Sequence, residues 1–423
     1  MSLNTHIEKI LLNGSSVLIL NDGAIITQED RAMLQALHSR NPKGIKEHLK
    51  TLEAKGSGNM MASFYVGYGH KSIGDCGTTT IFIEGVSMLC AKAIQDSKLY
   101  NGQECSTRYI DFSTQPFFNP NTQDTTPHEY TDKLRAFYLK ALPITIEDLK
   151  LKYLIKEEEK EVVYQKAIKA RAFDILRGFL PAGATTNIAW STTLRQVADR
   201  LVYLRNHSLE EVRNIAIAIE EACIEMYPNS FGHKRYDESF VKEYQVFENP
   251  IISSTNKIIL PATAKKLLQK RKQYQEIPPA FGVFGQQLWQ IDLDYASYRD
   301  IQRHRAVTMI MPCLDTKLGF ETWYLDNLPL SLKEEATDLV DTDILSSYLL
   351  PMGYKVHLDI TGDLPALVYL AEIRSSKMVH PTLRRLAIEL GLKLEKELAI
   401  PIYLDTSEGD FDTKRGTNDI VEK

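Results

Sequence analysis

The stretch with the strongest chemical implication runs from Tyr298 to Cys313 and centres on Arg303-His304-Arg305. Three consecutive cation-capable side chains inside an otherwise apolar segment are costly to desolvate unless something anionic or planar lies across them. A phosphate-bearing ligand fits. Each guanidinium offers a fork of donors to phosphate oxygens, and guanidinium and imidazole both stack on flat rings. The triplet fits a solvated helix end beside ordinary core equally well. A second set lies in Asn101 to Ile110. If Glu104 to Ile110 is extended, a period of two puts Glu104, Ser106 and Arg108 on one face. The hydroxyl and guanidinium would then make a compact nucleotide-phosphate site, with the carboxylate orienting the arginine or accepting from a base or ribose. The alternative is the polar outer face of an edge strand. Upstream, Gly67-Tyr68-Gly69-His70-Lys71-Ser72-Ile73-Gly74-Asp75 would let backbone approach a ligand closely, as glycines do in any loop.

These groups need elements to hold them. Residues 7 to 27 pattern as two short strands around a turn at Asn13-Gly14-Ser15. Residues 44 to 54 pattern as an amphipathic helix, Thr78 to Ile83 as a strand, and Val86 to Ile94 as a helix of small and apolar residues. Residues 113 to 129 read as an exposed loop. Residues 147 to 166, with Lys156-Glu157-Glu158-Glu159-Lys160-Glu161, read as a solvated helix face. Arg171 to Leu180 should be helical up to Pro181. Two more helices follow, one with Leu194, Val197, Ala198 and Leu201 at helical spacing, the other opening at Ser208 with Glu211 in a capping-box pattern.

A chain of 423 residues, 43% hydrophobic and 25% charged, can build two or three cored units. A net charge of -5 argues against a general nucleic-acid binder and makes any anion site local. No basic-then-apolar leader and no membrane-length apolar run are visible, which points to the cytoplasm and to no membrane partner. Five cysteines without a Cys-x-x-Cys pair suit reduced thiols, with no zinc or other metal site expected.

The order of motifs repeats. Leu180-Pro181-Ala182-Gly183 precedes Val202-Tyr203-Leu204-Arg205, and Leu350-Pro351-Met352-Gly353 precedes Val368-Tyr369-Leu370 and Ile373-Arg374. A second amphipathic helix then carries Leu383, Leu386, Ala387 and Leu390, as the helix after Ser208 does. Two diverged copies of one unit, residues 1 to 230 and 231 to 423, joined near 228 to 250, explain this better than chance.

The ordered motifs resemble the flavin-dependent thymidylate synthases. The first copy is similar to that family from Gly69-His70-Lys71-Ser72, through Phe82-Ile83-Glu84-Gly85-Val86-Ser87, to Glu104-Cys105-Ser106-Thr107-Arg108. The likeness continues through Leu180-Pro181, Thr193-Leu194-Arg195, Leu204-Arg205 and His207 to Arg213. The second copy carries the family's Arg-His-Arg as Arg303-His304-Arg305, and Ile360 to Asp363 with Arg384 to Ala387 resemble the helical region. Departures are complementary. Asp96-Ser97-Lys98 stands at the Arg-His-Arg position of the first copy, while Met311, Cys313 and Asp315 replace Glu, Ser and Arg in the second. The arginine that follows Leu-Pro in many members is Asn187 in one copy and His357 in the other.

The resemblance implies an α/β (α+β) fold: two tandem copies, each a small mainly antiparallel or mixed sheet flanked by long helices. It implies FAD as cofactor, NADPH and methylenetetrahydrofolate as cosubstrates, and reductive methylation of dUMP. Arg303, His304, Arg305, Arg374 and Arg205 would bind the cofactor. Glu104, Ser106 and Arg108 would bind the nucleotide, and Arg213 would stabilise charge on the uracil ring. The copies would share a composite site, and the expected assembly is a homodimer forming a pseudo-tetramer. The competing expectation is a degenerate homologue that binds flavin or a nucleotide without making thymidylate. Pro312-Cys313 also invites comparison with the unrelated thymidylate synthases that use a cysteine nucleophile, but the partner residues are absent.

Overall fold

The computed structural model describes residues 6–21, 25–42, 44–58, 61, 71–231, 257–273, 275–311 and 313–418. The Gly67 to His70 part of the glycine-rich block and most of the expected linker lie outside the described residues. The chain divides into two compact units. The first takes residues 1–110, 116–126 and 184–247, and the second takes residues 111–115, 127–183 and 248–423.

In the first unit, β1 (Ile7–Ile10) and β2 (Ser16–Ile19) form the expected hairpin, with Gly14 at φ +83 in its turn. β3 (Thr78–Ser87), β4 (Asn101–Glu104) and β5 (Thr185–Thr193) complete a five-stranded sheet in the order β1-β2-β3-β5-β4, antiparallel throughout. Alternation makes the inner face: Ile81, Ile83, Ile188 and Trp190 point into a core closed by three helices. These are α3 (Met88–Gln95), α6 (Leu194–Leu204) and α7 (Glu210–Met226). Two further helices, α1 (Gln28–Arg40) and α2 (Ile45–Lys55), precede β3. A capping box between Thr27 and Asp30 starts α1, a helix the hydrophobic pattern did not reveal.

Two expectations need correction here. Glu211 does not cap its own helix, for Leu209 occupies the N-cap without a side-chain bond. The buried Glu211 carboxylate instead accepts from the Ser87 amide at 2.8 Å and the Ser87 hydroxyl at 2.5 Å, fixing the start of α3. The helix expected from Val86 starts at Met88, because β3 runs on to Ser87 across a bulge near Gly85, which sits at φ +67.

The second unit holds the long α4 (Glu129–Lys152) and α5 (Glu161–Leu176). The expected helix over 147 to 166 is wrong in its bounds: α4 ends at Lys152 and the charged run forms the turn before α5. Pro143 lies inside α4, where a proline normally signals a break. Buried Phe137, Tyr138, Ala141 and Leu149 hold the helix through it.

β6 (Gln286–Asp294), β7 (Thr308–Ile310) and β8 (Lys355–Asp363) form an antiparallel sheet in the order β6-β8-β7. Their helices are α8 (Tyr295–Ile301), α9 (Leu364–Arg374) and α10 (Pro381–Leu398).

The order of elements in one unit matches the other. β3 and α3 correspond to β6 and α8, while β5, α6 and α7 correspond to β8, α9 and α10. β5 and β8 are each 9 residues long, and α6 and α9 each 11. The first amide of α3 donates to Ala184 O at 3.0 Å, and the first amide of α8 donates to Tyr354 O at 2.9 Å.

Within the second unit the two Leu-Pro-x-Gly loops pair antiparallel across Pro181 and Pro351. Ala182 N reaches Leu350 O at 2.9 Å and Met352 N reaches Leu180 O at 2.9 Å. Gly183 N reaches Tyr348 O at 2.7 Å and Gly353 N reaches Gly178 O at 2.8 Å. One constant shift in residue number exchanges these four bonds in pairs.

Candidate functional site

The second unit gathers most of the candidate cofactor set. α8 ends at Ile301, so Arg303-His304-Arg305 forms the turn between α8 and the short strand β7. Arg303 and Arg305 are exposed and His304 is half-buried. Arg374, the last residue of α9, donates from Nε to His304 Nε2 at 2.6 Å and from Nη2 to the Asp300 carbonyl at 2.8 Å. The Tyr369 ring meets the His304 ring edge-on at 5.9 Å.

Burial, with Arg374 beside it, pushes the His304 pKa down to about 3. The imidazole is therefore neutral at physiological pH. Burial also lowers the pKa of Arg374. Asp300 is the carboxylate at the centre: Arg177 reaches it at 3.2 Å and Arg303 at 3.9 Å. Burial raises its pKa, but Arg177, Arg303 and Arg374 outweigh that and hold it below the ordinary value. One carboxylate facing several guanidinia leaves this surface positive and suited to an anion.

Beneath it lies a buried polar network that sequence reasoning missed. Asp294 caps α8 by accepting from Ser297 N at 2.9 Å, and also accepts from the Tyr324 hydroxyl at 2.7 Å and the Thr382 hydroxyl at 2.7 Å. Arg177 Nη2 donates to Ser297 Oγ at 3.1 Å, and His380 Nδ1 lies 3.2 Å from the same oxygen. Burial favours the neutral form of Asp294 and wins over Arg177 and the hydroxyls, so its pKa is raised. Asp300 and Ser297 belong to the quoted basic stretch or its helix, but the single sequence gave no sign that Arg177, His380 or Thr382 would meet them.

The first unit treats the nucleotide candidates differently. The extended run expected over Glu104 to Ile110 stops at Glu104, and Thr107–Tyr109 forms a 3-10 turn, so the three side chains do not share a strand face. Glu104 pairs with Lys92 of α3, both side chains under a tenth exposed, and also accepts from Gln95 at 3.1 Å. A buried lysine needs that counter-ion. Ser106 is half-buried, and Arg108 is exposed with no ion pair among the described residues.

Arg205 pairs with Glu220 of α7. Arg213 Nη1 donates to the carbonyls of His207 at 2.7 Å and Ser208 at 2.8 Å, bracing the turn before α7. Burial, with Arg200 and Arg213 nearby, pushes the His207 pKa down to about 4. The two positions that follow Leu-Pro are also engaged: Asn187 Oδ1 accepts from Gly85 N at 2.9 Å, and His357 Nδ1 lies 2.7 Å from Asp292. Cys313 is exposed.

Comparison with known proteins agrees with the motifs. Residues 24–229 match the family model described as thymidylate synthase complementing protein. That stretch belongs to this family, the flavin-dependent thymidylate synthases. The matched residues include Glu104, Ser106, Arg108, Arg205 and Arg213, whereas Arg303-His304-Arg305 lies beyond them.

The chain is also similar to a UPF0159 protein of Chlamydia muridarum, 22% identical over 77% of this chain and 76% of the relative. A UPF0159 protein of Thermoplasma acidophilum is 21% identical over 85% and 91% of the two chains. A third, from Chlamydia pneumoniae, is 21% identical over 79% and 77%. No helix among the described residues is long and apolar enough to cross a membrane.

Proposed function

We propose that the chain is a flavin-dependent thymidylate synthase-like protein whose two halves descend from one folding unit and have divided its work. The second half holds FAD through Arg303, His304, Arg305 and Arg374. The first offers Ser106 and Arg108 to the phosphate of dUMP or a related nucleotide. The observation that carries this reading is the Arg374 to His304 contact, which joins two motifs far apart in sequence beside two exposed arginines.

The donor set fits an anionic, planar cofactor. Arg303 and Arg305 would neutralise phosphate oxygens, Arg374 would fix the imidazole, and His304 would meet the ring. FAD, when bound, supplies the reducing chemistry for methylating dUMP to dTMP, with NADPH and methylenetetrahydrofolate as cosubstrates. A homodimer is the assembly this reading implies. Descent from one unit is supported by the matched order of elements and by the four exchangeable bonds of the Leu-Pro loops.

A second reading, a flavin or nucleotide binder without thymidylate synthesis, is favoured by the engagement of Glu104, Arg205 and Arg213 with protein partners. Two experiments separate the readings. Visible flavin absorbance of the purified chain tests the cofactor. Growth of a thymidine-requiring strain carrying the chain tests the reaction: rescue supports the synthase, and bound flavin without rescue supports the binder.

A further inference from the structure

The Arg374 side chain is always protonated, so its Nε is a donor and the His304 Nε2 that faces it at 2.6 Å must accept. A neutral imidazole whose Nε2 accepts carries its proton on Nδ1. The arginine is itself fixed, since Nη2 is held by the Asp300 carbonyl at 2.8 Å and Asp300 is held by Arg177 at 3.2 Å. Tyr369 packs edge-on against the ring and limits its rotation. Among the described residues no protein acceptor takes the Nδ1 proton. The triplet is therefore mixed: two exposed cations flank one uncharged donor.

We propose that His304 is a locked neutral hydrogen-bond donor, selecting a ligand ring that presents a carbonyl oxygen or unprotonated nitrogen over one that presents a donor or a C–H there. This deepens the flavin reading and rests on it. The flanking arginines bind charge without regard to the ring, so pyrophosphate would gain nothing from His304. A nucleotide-type ligand with an acceptor-bearing heteroaromatic ring would use all three residues. Burial, which pushes the His304 pKa to about 3, agrees with the locked neutral form.

Two measurements on the full chain test this. In 15N-histidine NMR, with the His304 signals assigned by their loss in His304→Gln, the expected spectrum at neutral pH is that of the Nδ1–H tautomer. The Nε2–H tautomer or an imidazolium would overturn the proposal. Binding of FAD and of pyrophosphate is then compared for wild type, His304→Phe and His304→Asn, whose amide lies near the Nδ1 position. The Phe variant should weaken FAD about tenfold, the worth of one hydrogen bond, and leave pyrophosphate unchanged. The Asn variant should recover FAD affinity to within about threefold of wild type. Equal losses for both ligands, or an Asn variant as weak as Phe, would overturn the selection. If wild type takes up no FAD the flavin reading fails instead, and the ligand-free tautomer measurement decides the locked donor by itself.

Discussion

Arg374 links two pieces that sequence spacing could only place in the same half of the chain. Replacing it with Gln removes both the donor to His304 and the bond to the Asp300 carbonyl. Flavin affinity should then fall about tenfold or more, measured by fluorescence titration, because a charge-assisted bond is worth about 1.5–3 kcal/mol. An unchanged affinity would remove Arg374 from the site.

Two half-buried histidines weaken the fold in acid. In the folded chain the pKa values of His207 and His304 are pushed down to about 4 and about 3, below the ordinary 6.5 of a free imidazole. The unfolded chain therefore binds more protons, and stability present above pH 6.5 is lost as pH falls towards those values. The loss is at most about 1.4 kcal/mol per pH unit for each histidine. Denaturant titrations between pH 7 and 4.5 should show this slope, and His304→Gln should shallow it. A flat profile would contradict the neutral burial.

At the scale of elements, the segment from Asp405 to Arg415 clasps α5. Arg415 makes a two-pronged pair with the fully buried Asp174, its Nη2 to Oδ1 distance being 2.7 Å. Phe411 stacks on Tyr153 at 4.3 Å, and Arg384 donates to the carbonyls of Ser375, Asp405, Ser407 and Gly409. Arg415→Ala would leave a buried carboxylate without its cation, and should cost about 3–5 kcal/mol in chemical denaturation. Loss of under about 1 kcal/mol would mean that the clasp is incidental.

A second test concerns corresponding joints. In the first unit the cap hydroxyl of Ser87 donates to Glu211, the second residue of α7. In the second unit the cap carboxylate of Asp294 accepts from Thr382, the second residue of α10. Donor and acceptor have changed places. Ser87→Asp alone should destabilise by placing two carboxylates together, and adding Glu211→Thr should restore most of the loss, so that a double-mutant cycle shows favourable coupling. Additive losses would contradict equivalence.

For the whole molecule, strands and amphipathic helices were legible wherever apolar period and turn residues agreed, as in the hairpin around Gly14 and the helix from Leu194. The matched Leu-Pro-x-Gly segments were legible as a recurring motif, and the two loops that carry them pair backbone to backbone. What failed was set by partners distant in sequence. Lys92 of α3 engaged the Glu104 carboxylate at the end of β4, Ser87 drew Glu211 away from its cap, and the packing of α4 carried it through Pro143. Asp174 and Arg415 meet only in the fold, so the clasp left no local signal. The Arg-His-Arg triplet was legible as a candidate anion site, but the neutrality of its central residue comes first from burial and then from Arg374, a residue in another element.

The central claim is that the second half carries a flavin site built on this triplet. The direct measurement is the visible spectrum and FAD stoichiometry of the purified full chain beside its Arg303→Ala/Arg305→Ala variant, with folding of both checked by circular dichroism. The expected result is flavin bound by the wild type and lost from the folded variant. A folded wild type that neither carries nor takes up FAD, or a variant that retains it equally well, would contradict the claim.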